Sequence, residues 1–308
     1  MPNSTPVSYF VLGAFVDLGP LKYMMFVFLL LLYISIVVSN VLLVLVIGLD
    51  RTFHEPMYLF LCTLFVNEVF GSSVIYPLLL SQILEDAHVI STTLCFLQIF
   101  LLYSYGSIEL GTLAIMSYDR YMAICRPLQY SSIMTPCKIA ALTTLTWFYS
   151  ISMNLIFVYG LTAPLKLCGN FIPKVYCDNF WVVRLSCSDT RLRNVLGLVN
   201  TTCALVSLLM LILYSYGRIL HVCFNSPAST RRKALSTCTP HLVSLLNFSF
   251  GGLFEIIQSR FDLNALPIVL RVCLSLYWFS LQPLINPLVY GLKTTKIRLV
   301  IRTRLSPK

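Results

Sequence analysis

Residues 23–49 form an unbroken apolar run with no Asp, Glu, Lys or Arg. An α-helix rises 1.5 Å per residue, so about 20 such residues cross the ~30 Å hydrocarbon core of a bilayer. Further apolar runs follow at 57–84, 91–124, 138–161, 195–222, 233–259 and 266–290. Seven crossings in 308 residues leave only short connections. The composition agrees: 11% of the residues are charged and 57% hydrophobic, against about 25% charged in soluble domains. The runs are too long, and lack the two-residue alternation, for a membrane barrel. The expected fold class is therefore an all-α membrane protein, a seven-transmembrane helix bundle forming one domain over residues 1–308. The net charge of +10 does not point to nucleic acid, because the basic residues are scattered between apolar runs.

Charge sets the expected orientation. Residues 1–20 carry no basic n-region or compact apolar core, so the first span is expected to anchor the chain as well as target it. Asn3-Ser4-Thr5 is a glycosylation sequon, which places Asn3 outside. The sequons at Asn200 and Asn247 fall inside spans and read as coincidence. Seven spans then put the tail, 291–308, in the cytoplasm. Fourteen of the 22 Lys and Arg residues fall on that side, from Arg51 to Lys308, and eight on the other, the sign expected from the positive-inside rule. After Tyr290 the chain mixes basic and apolar residues, as a short amphipathic C-terminal helix on membrane lipid would. Of 11 cysteines, Cys95, Cys168, Cys177 and Cys187 lie at the oxidising outer edge. They allow two disulfides in three pairings, stapling the long outer loop, 162–194.

The motifs narrow the class. The third span ends in Met116-Ser117-Tyr118-Asp119-Arg120-Tyr121-Met122-Ala123-Ile124-Cys125, followed by Arg126-Pro127-Leu128-Gln129-Tyr130. Pro56-Met57-Tyr58-Leu59-Phe60-Leu61 opens span two and Ser215-Tyr216 closes span five. Lys233-Ala234-Leu235-Ser236-Thr237-Cys238 continues into Thr239-Pro240-His241-Leu242, and span seven carries Pro283-Leu284-Ile285-Asn286-Pro287-Leu288-Val289-Tyr290. Together these resemble, over nearly the whole chain, the olfactory receptors, a branch of the rhodopsin-like G-protein-coupled receptors. Glu68, at a position usually held by Asp, together with the 103–109 segment and Ser259-Arg260-Phe261, resembles the fish-type and class I subgroup.

The resemblance implies specific roles. Cys95 should pair with Cys177, and Cys168 with Cys187. Asp119 should hold Arg120 at rest, with Tyr121 beside it, and Arg120 should meet the G protein when active. Tyr216 and Tyr290 should swing inward on activation. Arg231, Arg232 and Lys233 stand where many relatives of the wider class carry an acidic lock on this Arg, so no such lock is expected. Glu68 and Glu109 are mid-membrane carboxyls, a functional-site signature. Two close carboxyls cannot both ionise cheaply, so they bind a cation or share a proton. The family places a sodium site there, with Asn40, Gln282 and Asn286. No resident cofactor is expected beyond Na⁺ as an allosteric ion. Pro287 should kink span seven, leaving freed carbonyls for Asn286 or water to partner.

For the ligand, helical spacing groups Tyr103, Gly106 and Ser107 on span three and Asn200 with Ala204 on span five. Phe250, Ile257 and Arg260 are the span-six candidates. In similar receptors the Arg of such a segment grips a ligand carboxylate, so an acidic or polar odorant is expected, unless Asp262 occupies Arg260. The expected function is an odorant-activated receptor, not an enzyme, in the plasma membrane (in the family, of olfactory cilia). Its expected partner is the stimulatory olfactory G protein, which raises cyclic AMP. The alternatives are a non-olfactory chemoreceptor of the same fold and an ion-coupled transporter. No catalytic motif supports an intramembrane enzyme.

Overall fold

The computed structural model describes residues 7–13, 19–53, 55–258 and 268–293. Among them are seven long helices: α1 (Leu21–Leu49), α2 (Pro56–Leu84), α3 (Thr92–Cys125), α5 (Pro136–Leu155), α7 (Arg191–Phe224), α8 (Ala228–Gln258) and α9 (Ile268–Lys293). Short helices α4 (Pro127–Ile133) and α6 (Asn179–Arg184) sit in connections. The long helices match the predicted spans closely. Their starts carry local signals. Pro opens α2, α4 and α5, where a missing N–H goes unused. Ser91 Oγ accepts from Leu94 N at 3.3 Å to cap α3, and Thr135 Oγ1 does the same for Lys138 N at 3.3 Å on α5.

Six of the seven are long and apolar enough to cross a bilayer. The exception is α8, which begins near Arg231, Arg232 and Lys233 and carries polar residues built into the network described below. The C-terminal amphipathic helix expected after Tyr290 falls mainly on 294–308, outside the described residues, as does Asn3.

The central post is α3, which packs against α2, α5, α7 and α8. Of its most apolar stretch 56% is buried against protein, whereas α7 buries 6% of its own. The apolar surface left on α7 and α1, including Met210, Leu213, Met24 and Phe28, is exposed. That is the surface a bundle turns to lipid. Span four does not end as an α-helix. Ile156–Thr162 is π-helical, and Ala163 N donates to Val158 O at 2.8 Å. Such a segment shifts the phase of the side chains beyond it.

One end of the bundle holds an element the sequence did not announce. Strand β1 (Tyr9–Leu12) pairs antiparallel with β2 (Val89–Ser91) and parallel with β3 (Phe171–Ile172), so the order is β2-β1-β3. Strand alternation points Phe10 and Leu12 inward, at 0% and 1% exposure. Phe10 meets Phe96 edge to face, with ring centroids 6.5 Å apart. Disulfides Cys95–Cys177 and Cys168–Cys187 are both formed. The first ties the loop to α3, and the second closes a 19-residue separation within the loop. The N-terminal segment, the α2–α3 connection and the long loop thus form one lid. Truncating Phe10 to Ala removes a fully buried ring, which costs about 3–5 kcal/mol in well-packed sites. We expect a lower thermal midpoint for the purified receptor in detergent. An unchanged midpoint would show the lid to be dispensable.

Candidate functional site

The deepest polar group of the bundle lies between α1, α2, α3, α8 and α9. Asn40, Asn67, Glu68, Glu109, Ser244, Gln282 and Asn286 are all fully buried. Asn286 Nδ2 donates to both carboxyls, to Glu109 Oε1 at 3.0 Å and to Glu68 Oε1. Glu109 also accepts from Asn67 Nδ2 at 2.9 Å and Gln282 Nε2 at 3.1 Å. Glu68 accepts from the Tyr105 hydroxyl at 2.8 Å. Ser244 donates to Asn286 Oδ1 at 2.6 Å, and Asn247 Nδ2 to Gln282 Oε1 at 2.5 Å. Four of the five residues expected here, Glu68, Glu109, Gln282 and Asn286, are joined by these bonds, while Asn40 reaches the neighbouring Pro283 carbonyl instead. Asn67, Tyr105, Ser244 and Asn247 join them, and the sequence reading missed these four. The spacing could have found Asn67, which directly precedes Glu68; nothing marked the others. Asn247 is committed inside the bundle, in keeping with its sequon being coincidental.

Asn40 solves a backbone problem. Pro287 has no N–H to donate to the carbonyl four residues earlier, that of Pro283. Asn40 Nδ2 donates to that carbonyl at 2.9 Å, and to Ile36 O at 2.9 Å. The partner for the freed carbonyl is therefore Asn40, not Asn286, which faces the carboxyls.

The donor set suits a hard cation, because it offers two carboxylates and the buried oxygens Asn40 Oδ1 and Asn67 Oδ1, neither of which accepts a hydrogen bond. No group of three or more His, Cys, Asp or Glu residues able to hold a metal occurs among the described residues.

At the end of the bundle away from the lid, Asp119 is fully buried. Arg120 Nε donates to Asp119 Oδ2 at 2.9 Å, its Nη2 engages the same oxygen, and Tyr130 of α4 donates to Oδ1 at 2.7 Å. Burial, and then the hydrogen bond to Asp119, push the Tyr130 hydroxyl above its ordinary pKa, so it remains a donor. Tyr121 lies half-buried with its ring 6.3 Å from that of Tyr214. Tyr290 and His241 Nδ1 are 3.0 Å apart. His241 is buried, with Tyr290 packed on its ring. The Tyr216 hydroxyl is buried without a hydrogen-bond partner.

Beneath the lid is a cavity of about 250 Å³. Tyr103, Gly106, Ser107 and Ala204 line it as expected, with Asn154, Tyr176, Phe248, Ser249, Trp278 and Phe279. Asn154 Nδ2 donates to Ser107 Oγ at 3.1 Å. Gly106 allows the Trp278 ring to close over α3: a Cβ there would meet the indole at 3.0 Å. Phe250 and Ile257 are corrections. They are 61% and 54% exposed and pack away from the cavity. At 100° per residue, Phe248, Gly252 and Glu255 share one face of α8, while 250 and 257 lie nearly opposite. The side chain of Asn200, and Arg260 and Asp262 entirely, lie outside the described residues.

The lid contributes charge to this cavity. Lys174 Nζ bonds Asp178 Oδ2 at 3.0 Å and also Glu255 of α8. Tyr176 donates to the same carboxyl of Glu255, and Gln258 Nε2 engages its other oxygen. Burial alone would depress the Lys174 pKa, but Asp178 and Glu255 outweigh it and hold it above the ordinary 10.5. Because its folded value is raised, the tether's stabilisation is complete below the ordinary value and is lost as pH rises through the folded one.

The family model described as olfactory receptor matches residues 29–308. Human olfactory receptor 6N1 is 33% identical over 98% of this chain and 96% of its own length. Mouse olfactory receptor 6E1 is 33% identical over 99% and 97%. Among solved structures, squid rhodopsin superposes with a TM-score of 0.72 at 18% identity, covering 94% of this chain and 82% of that one.

Gly71 tests the carboxyl network without touching a carboxyl. A Cβ at Gly71 would meet the Tyr105 ring at 2.3 Å, so Gly71→Ala should displace Tyr105 and leave Glu68 one donor short. A lost hydrogen bond to a buried charged group costs about 1.5–3 kcal/mol. The thermal midpoint should fall by a similar amount in Gly71→Ala and in Tyr105→Phe, and the double variant should fall by less than the sum. Additive losses would show that the two residues act separately.

Proposed function

The chain belongs to the olfactory receptor family, and on that premise we propose that it is an odorant-activated receptor coupling to a stimulatory heterotrimeric G protein that raises cyclic AMP. Members of this family are multi-pass plasma-membrane receptors, not enzymes. The observation that carries the reading is a continuous path of contacts from the cavity to Asn286 in α9. Trp278 and Tyr103 line the cavity. Trp278 packs on Tyr105, with ring centroids 6.1 Å apart, and Tyr105 donates to Glu68. Glu68 is bonded to Asn286, beside the Pro287 break and one turn from Tyr290.

A ligand seated against Trp278 and Gly106 bears on this path through Tyr105. It raises activity to the extent that it binds the active arrangement better than the resting one. Glu68, Glu109 and the free carbonyl oxygens of Asn40 and Asn67 are the residues that would hold Na⁺, whose charge would offset that of the carboxylates. At the inner end, Asp119 and Tyr130 restrain Arg120 with no acidic residue from α8 among its described partners. Release of Arg120, with inward movement of Tyr216 and Tyr290, exposes a basic face that suits an acidic patch on the G protein.

The orientation puts the lid outside and the tail inside. Its support is that both disulfides sit at the lid end, where an oxidising compartment is required, and that basic residues concentrate at the other. Glycosylation at Asn3 follows from the same orientation, and ciliary localisation from the family.

Expression with an olfactory-type G protein and a cyclic-AMP readout tests the proposal: an odorant panel should give at least one saturable response. A response should also appear without ligand in Tyr130→Phe, because Asp119 then holds Arg120 with one partner fewer. Sodium should lower basal signalling in the parent and have no effect in Glu68→Gln. A Glu68→Gln receptor that kept its sodium sensitivity would remove the ion from this site.

A further inference from the structure

The cavity beneath the lid has a sign. The only charged residues lining it, among those described, are Asp178 and Glu255. Their side chains are 12% and 13% exposed, and among the described residues the one cation bonded to them, Lys174, is 5% exposed. Counted over the described residues, two carboxylates against one ammonium leave a net negative charge in a nearly dry place, which favours the arrival of a cation. The rest of the wall is aromatic, with Tyr103, Tyr176, Phe248, Trp278 and Phe279, and ring faces attract ammonium groups. Two polar atoms on the lining residues, Ser249 Oγ and Trp278 Nε1, are buried without partners.

A second hollow of about 150 Å³ lies outward, between the π-helical end of span four and the start of α7. It shares Tyr103, Asp178, Thr201 and Glu255 with the inner cavity. The two carboxylates therefore stand at the neck between the hollows. The cation in the outer hollow, Arg193, is exposed and donates to Leu161 O at 3.2 Å.

Resting on the receptor reading above, we propose that this receptor takes an organic amine, its ammonium held at the neck by Glu255 and Asp178 and its apolar body against Trp278 and Phe248. Lys174 is an internal ammonium already seated on the same carboxylates, and an incoming amine shares or displaces it. This reverses the sign of the ligand expected from Arg260.

The test separates binding from signalling. Purified receptor in lipid nanodiscs is titrated with primary alkylamines, and with alcohols and carboxylates of the same chain length, following thermal shift. The same panel is run by cyclic AMP in cells. Amines should stabilise the parent. Glu255→Gln and Asp178→Asn should each weaken amine binding by about tenfold or more, the effect of losing a charged hydrogen bond. Lys174→Gln should strengthen it, because the internal competitor is gone, a gain that general misfolding would not produce. Amine binding without a cyclic-AMP response would uphold the ligand class and count against the coupling. Failure of every amine to bind would overturn the proposal. So would amine affinity equal in parent and Glu255→Gln, or binding confined to carboxylates and lost in Arg260→Ala.

Discussion

Helices in a bilayer gain little by touching one another through apolar side chains, since lipid offers nearly the same contact. What holds this bundle in one arrangement is the buried polar network around Glu68 and Glu109. It draws on α2 through Asn67 and Glu68, α3 through Tyr105 and Glu109, α8 through Ser244 and Asn247, and α9 through Gln282 and Asn286, and α1 is tied to α9 beside it through Asn40. Each of these groups would be costly alone in hydrocarbon. Together they specify which faces meet, and a change at one relocates several hydrogen bonds at once. The same network that positions the helices is therefore suited to switch between two arrangements.

The bond from Asn40 to Pro283 shows how closely stability and switching are joined. Pro287 breaks the ladder of α9, and a side chain from α1, 243 residues earlier in the chain, repairs it. A helix repaired by a neighbour can change shape only when that neighbour permits it. Over the cavity the lid imposes a different order. Two disulfides, a three-stranded sheet and the Lys174–Glu255 pair fix the loop over the cavity. The last of these reaches α8, so the lid and span six are not independent.

The spans were legible because hydrocarbon demands long apolar runs, and a 3.6-residue helix is the simplest way to satisfy backbone groups there. Glu68 and Glu109 were legible because carboxyls in such runs are conspicuous. Tyr105 and Ser244 were not, since a Tyr or Ser within a span does not reveal whether it bonds its own helix or another. The strand at Tyr9–Leu12 was invisible for a related reason. Four residues of modest alternation carry no signal until β2 and β3 supply partners. On span six, Phe250 and Ile257 were the described candidates. Their rotational phase was unknown, and the structure turns them outward.

Sequence thus settled the number, limits and class of the helices, the family, and the chemical kinds of residue available to a site. Those follow from local composition and motif spacing, which a chain carries whether folded or not. Which carboxyl meets which amide, which helix face lines the cavity, and that the lid brings Asp178 and Lys174 to Glu255 were decided by packing. Contacts between residues far apart in the chain depend on the rotation and tilt of whole helices, and no local pattern encodes those.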